Sequence, residues 1–409
     1  MSIIGKLIRG LVYTAATGVI VLALLVGIVR LLLPLAPQYQ QQIRQIAADA
    51  IGYRVDFQRI SASWPLRGPE LKLYGVLVID DAHDHQQLLA ADEVAVGLSL
   101  TSLLLEQSVA VSHIGVTGAR VEVVRERDRR LRIQGRWLDE LLPDTEPRKL
   151  PDLDLLLEDI FVRYQDRSRG LPALDLGIAR LAVRLQPDGL GAQGQLELGG
   201  AVNGQLDIGL VVDDAVIGPG SVPSEADWRL SVTAEDFDAP PLLAYALPID
   251  VPIRSGRGSV TFAGRFRGAR PISALVEADL HELEVSTGAV AVQNFDGLTG
   301  KFEWEQHGNG WLLAATGLRI ARNGQTWPDS ALTVTSAAGP DDQARTIEAH
   351  ADYLRLQDIY ALLSGFVTAR ARDDLLPDAL NGEIRDASFR LELAPDSASR
   401  YQLSAAFDG

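Results

Sequence analysis

"GRGSVTFAGRF", residues 256–266, decides how this chain folds. Val260, Phe262 and Phe266 fall on one side of a period-two repeat, and Thr261 and Arg265 fall on the other. That spacing suits a β-strand with one apolar face and does not suit a helix. The same alternation recurs along the chain. Leu206, Ile208 and Leu210 form one row, Phe302 and Trp304 another, and Phe389, Leu391 and Leu393 a third. Earlier rows are Leu71 with Leu73, Val94 through Leu100, and Leu174 through Ile178. Leu153, Leu155 and Leu157 alternate, and Ile160, Val162 and Tyr164 resume the pattern after a two-residue break. Turn signals such as "PDG", "NG", "DRSRG" and "HGNG" separate many of the rows. The expected body is therefore mainly antiparallel β, each strand apolar on one face.

The chain begins differently. Leu11 to Val29 is a run of 19 residues (29 − 11 + 1) without a charge. As a helix it would span roughly 30 Å, the thickness of a hydrocarbon core. Lys6 and Arg9 precede it and Arg30 follows, the flanks expected of a membrane anchor. A cleaved secretory signal is the competing reading, but its apolar core is shorter and ends in a small-x-small site. No clean A-x-A follows here, which favours a retained anchor over residues 11–33. Positive charge barely decides the orientation, since Arg30 and Arg44 oppose Lys6 and Arg9. The free amino terminus tips residues 1–10 towards the cytoplasm. "QYQQQIRQIAADAIG" then places Ile43, Ile46, Ala47, Ala50 and Ile51 at helical spacing, and predicts a short amphipathic helix over 38–52 closed by Gly52.

Strand regions are expected over 53–143 and 150–409, with "DTEPRKLP" (144–151) between them. Short helical pieces interrupt them at "TSLLLEQ" (101–107), "AEDFDAPPLLAYAL" (234–247) and "HADYLRLQDIYALL" (350–363). The last two share an acidic-aromatic pair before an apolar helix and a Gly-marked strand after it, which suggests a repeated strand–helix–strand unit. Gly409 follows a strand-like row with no closing element, as in a piece of something longer.

Composition excludes several function classes. The sequence has no cysteine, hence no disulfide and no thiolate chemistry. Lys and Arg number 38 against 54 Asp and Glu, a formal charge of −16, which argues against nucleic acid and against anionic headgroups as partners. "GLGAQG" (189–194) fits G-x-G-x-x-G, but "QLELGGAV" after it alternates like a strand, so a hairpin turn is expected in place of a dinucleotide loop. Asp80, Asp81, His83, Asp84 and His85 crowd one loop, yet no distant ligands complete a metal site. No serine sits in G-x-S-x-G, and His113, His281, His307 and His350 lie on unrelated segments. No catalytic residue, cofactor or metal is therefore expected. "RERDRRLR" (125–132) reads as a solvated hairpin.

Three segments carry a resemblance. "VRLLLPLAPQYQQQI" runs out of the anchor, "IGYRVDFQRISASWPLRGPELKL" follows, and "LRIARNGQTWPDSALTV" holds an Asn-Gly…Trp-Pro connection. In these the chain resembles the amino-terminal part of the YhdP-type, AsmA-like envelope proteins of Gram-negative bacteria. The resemblance implies a single-pass inner-membrane anchor, a long curved antiparallel β-sheet in the periplasm (an AsmA-like β-groove), and movement of phospholipid towards the outer membrane. Partners would then be phospholipid, the inner membrane and outer-membrane or periplasmic proteins. Groove-lining positions would be Leu206, Ile208, Leu210, Val260, Phe262 and Phe266. The alternative is an envelope assembly scaffold built of β-sandwich-like domains, since alternation alone does not distinguish an open apolar face from one covered by a second sheet.

Overall fold

The computed structural model describes residues 40–408, apart from 65–67, 82–85, 100–109 (but for Ser102), 142–147, 201–202, 218–225, 239–252 (but for Pro240), 269, 287–291, 339–344, 364–380 and 394–399. The anchor with its flanks Lys6, Arg9 and Arg30 lies outside these residues. So do the 101–107 piece, most of the expected helix after Asp238, and His83 to His85. Among the described residues no helix is long and apolar enough to cross a membrane.

In chain order come α1 (Gln40–Ile51), β1 (Arg54–Asp56), β2 (Arg59–Ser63), β3 (Glu70–Asp80), β4 (Gln86–Leu98), β5 (Val111–Thr117) and β6 (Arg120–Arg125). Short pieces β7 (Leu131–Ile133), β8 (Arg136–Trp137), α2 (Leu138–Leu141) and β9 (Arg148–Lys149) follow. Next are β10 (Leu153–Asp166), β11 (Leu174–Gln186), β12 (Gly189–Gly200), β13 (Gly204–Asp213) and the short β14 (Val216–Ile217). β15 (Asp227–Asp238), β16 (Ile253–Arg267), β17 (Arg270–Val285), β18 (Gln293–His307), β19 (Gly310–Arg322) and β20 (Gln325–Thr326) continue the series. The remaining elements are β21 (Ser330–Ala338), β22 (Arg345–Arg355), α3 (Leu356–Leu363), β23 (Glu383–Leu393) and β24 (Arg400–Asp408). The chain forms two compact units, Met1–Val121 with Asp152–Ile160, and Glu122–Pro151 with Phe161–Gly409.

In the first unit Ile43 and Ala47 of α1 pack on Val55, Phe57, Ile60, Leu73 and Val76. Gly52 ends the helix as its sequence predicts: φ is +76° and its N–H donates to Ala48 O at 2.8 Å. Arg44 ties the helix to the sheet by donating to Phe57 O at 2.9 Å and sitting 3.1 Å from Asp56. β1 and β2 both pair with β3, and β4 and β5 extend the sheet. Leu71 opposes Val96 and Leu73 opposes Val94, so the alternating residues meet across strands as expected. The first part of β10 joins β5 in parallel, from Asp154 opposite His113 to Glu158 opposite Thr117.

The second unit is an antiparallel run in which β11, β12, β13, β15, β16, β17, β18, β19, β21, β22, β23 and β24 each pair with the next. One end of the strands carries tight hairpins. Gln186 opposes Gly189, Arg267 opposes Arg270, and His307 opposes Gly310. "GLGAQG" is thus not itself the turn. Its six residues are strand, and Pro187–Asp188 make the two-residue loop before it. The other end, called here the far end, carries the Asn323–Pro328 connection and α3.

Register shifts recur in this unit, towards the far end in β11, β15 and β23 and near mid-strand between β18 and β19. Asp236, Gly317 and Asp386 adopt positive φ at three of them. A bulge changes the phase of alternation. Hence Ala234 and Phe237, three positions apart, are both buried in one cluster. Asp159, with φ +53°, likewise accounts for the break between Leu157 and Ile160, which belong to one strand.

The "DRSRG" turn is built on Asp166. Its carboxylate accepts from Ser168 N at 2.9 Å, Ser168 Oγ at 2.6 Å and Arg169 N at 3.3 Å, with Arg125 at 3.6 Å. Burial alone would raise its pKa; the Ser168 bonds and Arg125 outweigh burial and hold it below the ordinary carboxylate value. A depressed folded pKa means the contribution is complete above the unfolded value of about 4 and is lost as pH falls through the folded one. Asp166→Asn should therefore flatten the acid limb of the stability curve below about pH 4, measured by urea unfolding across pH. An unchanged acid limb would contradict this.

Candidate functional site

Register aligns the apolar positions of neighbouring strands into continuous rows. Leu181, Gly194, Ile208, Val232, Phe262, Val276, Phe302, Ala315, Leu332, Ala351 and Ala387 oppose one another in turn from β11 to β23. The next row runs Val183, Ala192, Leu210, Leu230, Gly264, Ala274, Trp304, Leu313, Val334, Ala349, Phe389 and Leu403, and reaches β24. Neither row contains a charge or a hydroxyl. On the reverse face the row Asp207, Thr233, Thr261, Glu277, Lys301 and Thr316 is polar throughout.

All six positions read from the sequence, Leu206, Ile208, Leu210, Val260, Phe262 and Phe266, lie on the apolar face and are half-buried. Thr261 and Arg265 are exposed on the reverse face. Phe262 and Phe266 crowd the position between them, since a Cβ on Gly264 would come within 2.7 Å of each ring. Glycine there lets both rings lie along the strand. Phe266 also stacks on Trp228, with centroids 4.0 Å apart and planes 9° from parallel. Trp228 Nε1 donates to Gly268 O at 2.8 Å, which fixes that ring pair beside the hairpin.

Among the described residues the largest buried core on this face lies at the far end. There Leu283, Val285, Phe295, Leu318, Ile320, Trp327, Tyr353 and Ala361 form a buried core, with Leu280, Leu298 and Phe302 of the apolar face packed against it. Neighbouring clusters share members with it: Leu280 flanks Phe237, and Leu354 flanks Ile384. α3 supplies Ala361, Ile359 and Leu362 to this core. Within this unit the only other sheet is the pair of β14 with β9, so among the described residues the long sheet has no companion sheet of its size. A sandwich of two comparable sheets is not what these residues build.

A buried polar cluster pins α3 in place. Asp358, 2 % exposed, accepts from Trp327 Nε1 at 2.9 Å. Arg322 lies 3.2 Å from its other oxygen and Arg355 3.5 Å from the first. Arg322 also donates to Gln293 and to Gln357 O, and Arg355 reaches Glu383 at 3.5 Å. Tyr353 meets Trp327 edge-on at 5.4 Å, and burial pushes its phenol pKa up. Sequence reading marks "NGQTWP" only as part of a resemblance. The structural reason for its tryptophan is this contact with a helix 31 positions later.

Among the described residues no group of three or more His, Cys, Asp or Glu could hold a metal ion. Asp81 instead pairs with Arg54 at 3.2 Å. Among the described residues the arrangement presents two long uncharged rows beside the far-end core, and the charges of the Asp358 cluster pair with one another.

The profile of the family described as YhdP protein matches residues 1–409, the whole chain. The chain belongs to the YhdP family. No curated protein and no solved structure matches it. YhdP membership together with a long, mainly antiparallel sheet fits an AsmA-like lipid-transport protein.

Sequence reading missed most of the rows' continuity. β15, with Leu230 and Val232, and β21, with Leu332 and Val334, carry apolar alternation as regular as that of β16. A search for period two in every window would have found them.

Proposed function

We propose that this chain is an inner-membrane-anchored periplasmic conduit for phospholipid, with acyl chains sheltered on the apolar face of the second unit. The observation that carries this reading is the pair of uncharged cross-strand rows from β11 onward. An exposed methylene costs about 0.8 kcal/mol in water, so a ~16-carbon chain crossing unaided meets a barrier on the order of 10 kcal/mol. A continuous apolar surface removes most of that barrier with no chemical step. Headgroups stay in water, so the reading needs no dedicated charge pocket for them. The uncharged run Leu11–Val29 supports an anchor that sets the start of the sheet beside the bilayer.

Two measurements test this reading. Phospholipid should co-purify with the intact chain from membranes in mild detergent and be identified by native mass spectrometry. A detergent-purified chain carrying none would contradict the conduit. A topology reporter fused after Gly52 should be active only on the periplasmic side. Recovery of a mature chain beginning near residue 37 would instead make the apolar run a cleaved signal.

A further inference from the structure

The formal charge of −16 describes the whole chain and not each part of it. Two adjoining turns, residues 125–132 and 166–170, hold seven arginines against Glu126, Asp128 and Asp166, a local charge of +4 (7 − 3). The rest of the chain then carries −20 (−16 − 4). The turns are joined by the backbone of Arg167, whose N–H donates to Arg125 O at 2.8 Å. Ion pairs neutralise part of the excess. Asp166 lies 3.6 Å from Arg125, and Glu126 is shared by Arg167 at 3.1 Å and Arg132 at 3.5 Å. Arg127, Arg129, Arg130 and Arg169 remain, with Asp128 as the one further carboxylate of the two turns.

The tip of the β6–β7 hairpin presents these cations. Glu126 N–H donates to Arg130 O and Arg129 N–H to Glu126 O, both at 2.9 Å, which makes 127–129 a three-residue loop. The third residue of such a loop is left-handed and ordinarily glycine; here it is Arg129, with φ +67°. Glycine would make the same turn with less strain, so the turn alone does not call for an arginine. Asp128 accepts from Arg130 N at 3.1 Å and so serves the turn. Residues 127–130 are all exposed. Beside the tip, Trp137 has the guanidinium of Arg130 4.2 Å from its ring centroid and that of Arg132 at 5.1 Å.

We propose that this hairpin docks on the surface of a bilayer that contains anionic phospholipid, with its arginines on headgroup phosphates and Trp137 at the interface. The guanidinium fork matches phosphate geometry, and an indole suits the boundary between headgroup and hydrocarbon. Cations spread over an exposed turn fit a surface of many charges better than one small anion, which needs donors converging on a point. An acidic protein segment would satisfy the arginines but leaves the indole without that apolar boundary. This contact is separate from the acyl-chain face and does not depend on it.

In the test the intact chain is held in phosphatidylcholine nanodiscs and mixed with separate vesicles, of phosphatidylcholine alone or with phosphatidylglycerol added. Discs that float with the vesicles are counted. The anionic vesicles should capture the chain on the order of 100-fold better than the neutral ones, and high salt should abolish the difference. Arg127→Gln combined with Arg129→Gly should lower anionic capture by roughly 25-fold, about fivefold for each arginine. Both changes lie at exposed turn positions and glycine relieves the left-handed φ, so the fold is kept, which circular dichroism checks. Arg265→Gln with Arg270→Gln makes the same change of net charge at another exposed hairpin and should leave capture within about twofold. Equal capture by the two kinds of vesicle, or equal loss in the two double variants, overturns the docking surface. Capture of the unaltered chain on immobilised polyglutamate, with none by the anionic vesicles, assigns the hairpin to an acidic protein and equally overturns it. The acyl-chain face stands or falls separately, by the lipid that co-purifies.

Discussion

Phe262→Asp is expected to cut phospholipid retention by the intact chain by ~10-fold or more, while Thr261→Asp leaves it within about twofold. The two positions are adjacent in sequence and opposite in orientation. Phe262 lies between Val232 and Val276 in an uncharged row, and Thr261 between Thr233 and Glu277 on the polar side. A carboxylate in place of Phe262 would be desolvated each time an acyl chain passed, and nothing in the row could pair with it. The same carboxylate at 261 remains in water. Both variants add the same charge to a chain already at −16, so net charge cancels from the comparison. The measurement is lipid per protein by mass spectrometry at matched protein level. Equal loss in both variants, or loss in neither, would contradict the assignment of the two faces.

Asp358→Ala should cost about 3–5 kcal/mol of stability, because it removes the carboxylate that the largely buried Arg322 and Arg355 share. Arg322 is 15 % exposed and Arg355 8 % exposed at the side chain, so water does little to replace the lost partner. Trp327→Phe keeps the ring in the core and removes one donor to Asp358, and should cost less, about 1–3 kcal/mol. The full truncation Trp327→Ala adds a cavity and should cost about 3–5 kcal/mol. Urea unfolding read by tryptophan fluorescence and by circular dichroism gives all three values. If Asp358→Ala unfolds with the midpoint of the unaltered chain, α3 is not held by this cluster. A replacement of the whole set by apolar residues would be informative too, since buried ion pairs often contribute less net stability than good packing.

Much of this was legible in the amino-acid sequence, and the illegible parts have physical causes. Period-two alternation at Val260, Phe262 and Phe266 places a strand and its faces correctly because side-chain direction in a strand depends only on parity. Gly52 was legible as a helix stop because a positive φ leaves few residue choices. The break between Leu157 and Ile160 was visible but not its cause, since a left-handed residue inside one strand, as at Asp159, and a turn between two strands leave the same mark on parity. Asp236 hides a bulge in the same way: Ala234, Asp236 and Phe237 look like the lead-in to a helix, and all three belong to β15. Partners across long separations were not legible at all. Nothing local in "NGQTWP" says that its tryptophan meets Asp358, and nothing local in "RERDRRLR" says that its Glu126 pairs with Arg167. Both are properties of register, set by pairings between distant segments.

The central claim is that the face bearing Phe262 carries acyl chains and the face bearing Thr261 does not. Photo-crosslinking amino acids placed singly at the two positions, in cells making the intact chain, test it most directly. Phospholipid should be captured at Phe262 and little or none at Thr261, with lipid identified by mass spectrometry of the purified adduct. Equal capture at both positions, or no capture at Phe262, Ile208 or Leu210, would contradict the conduit.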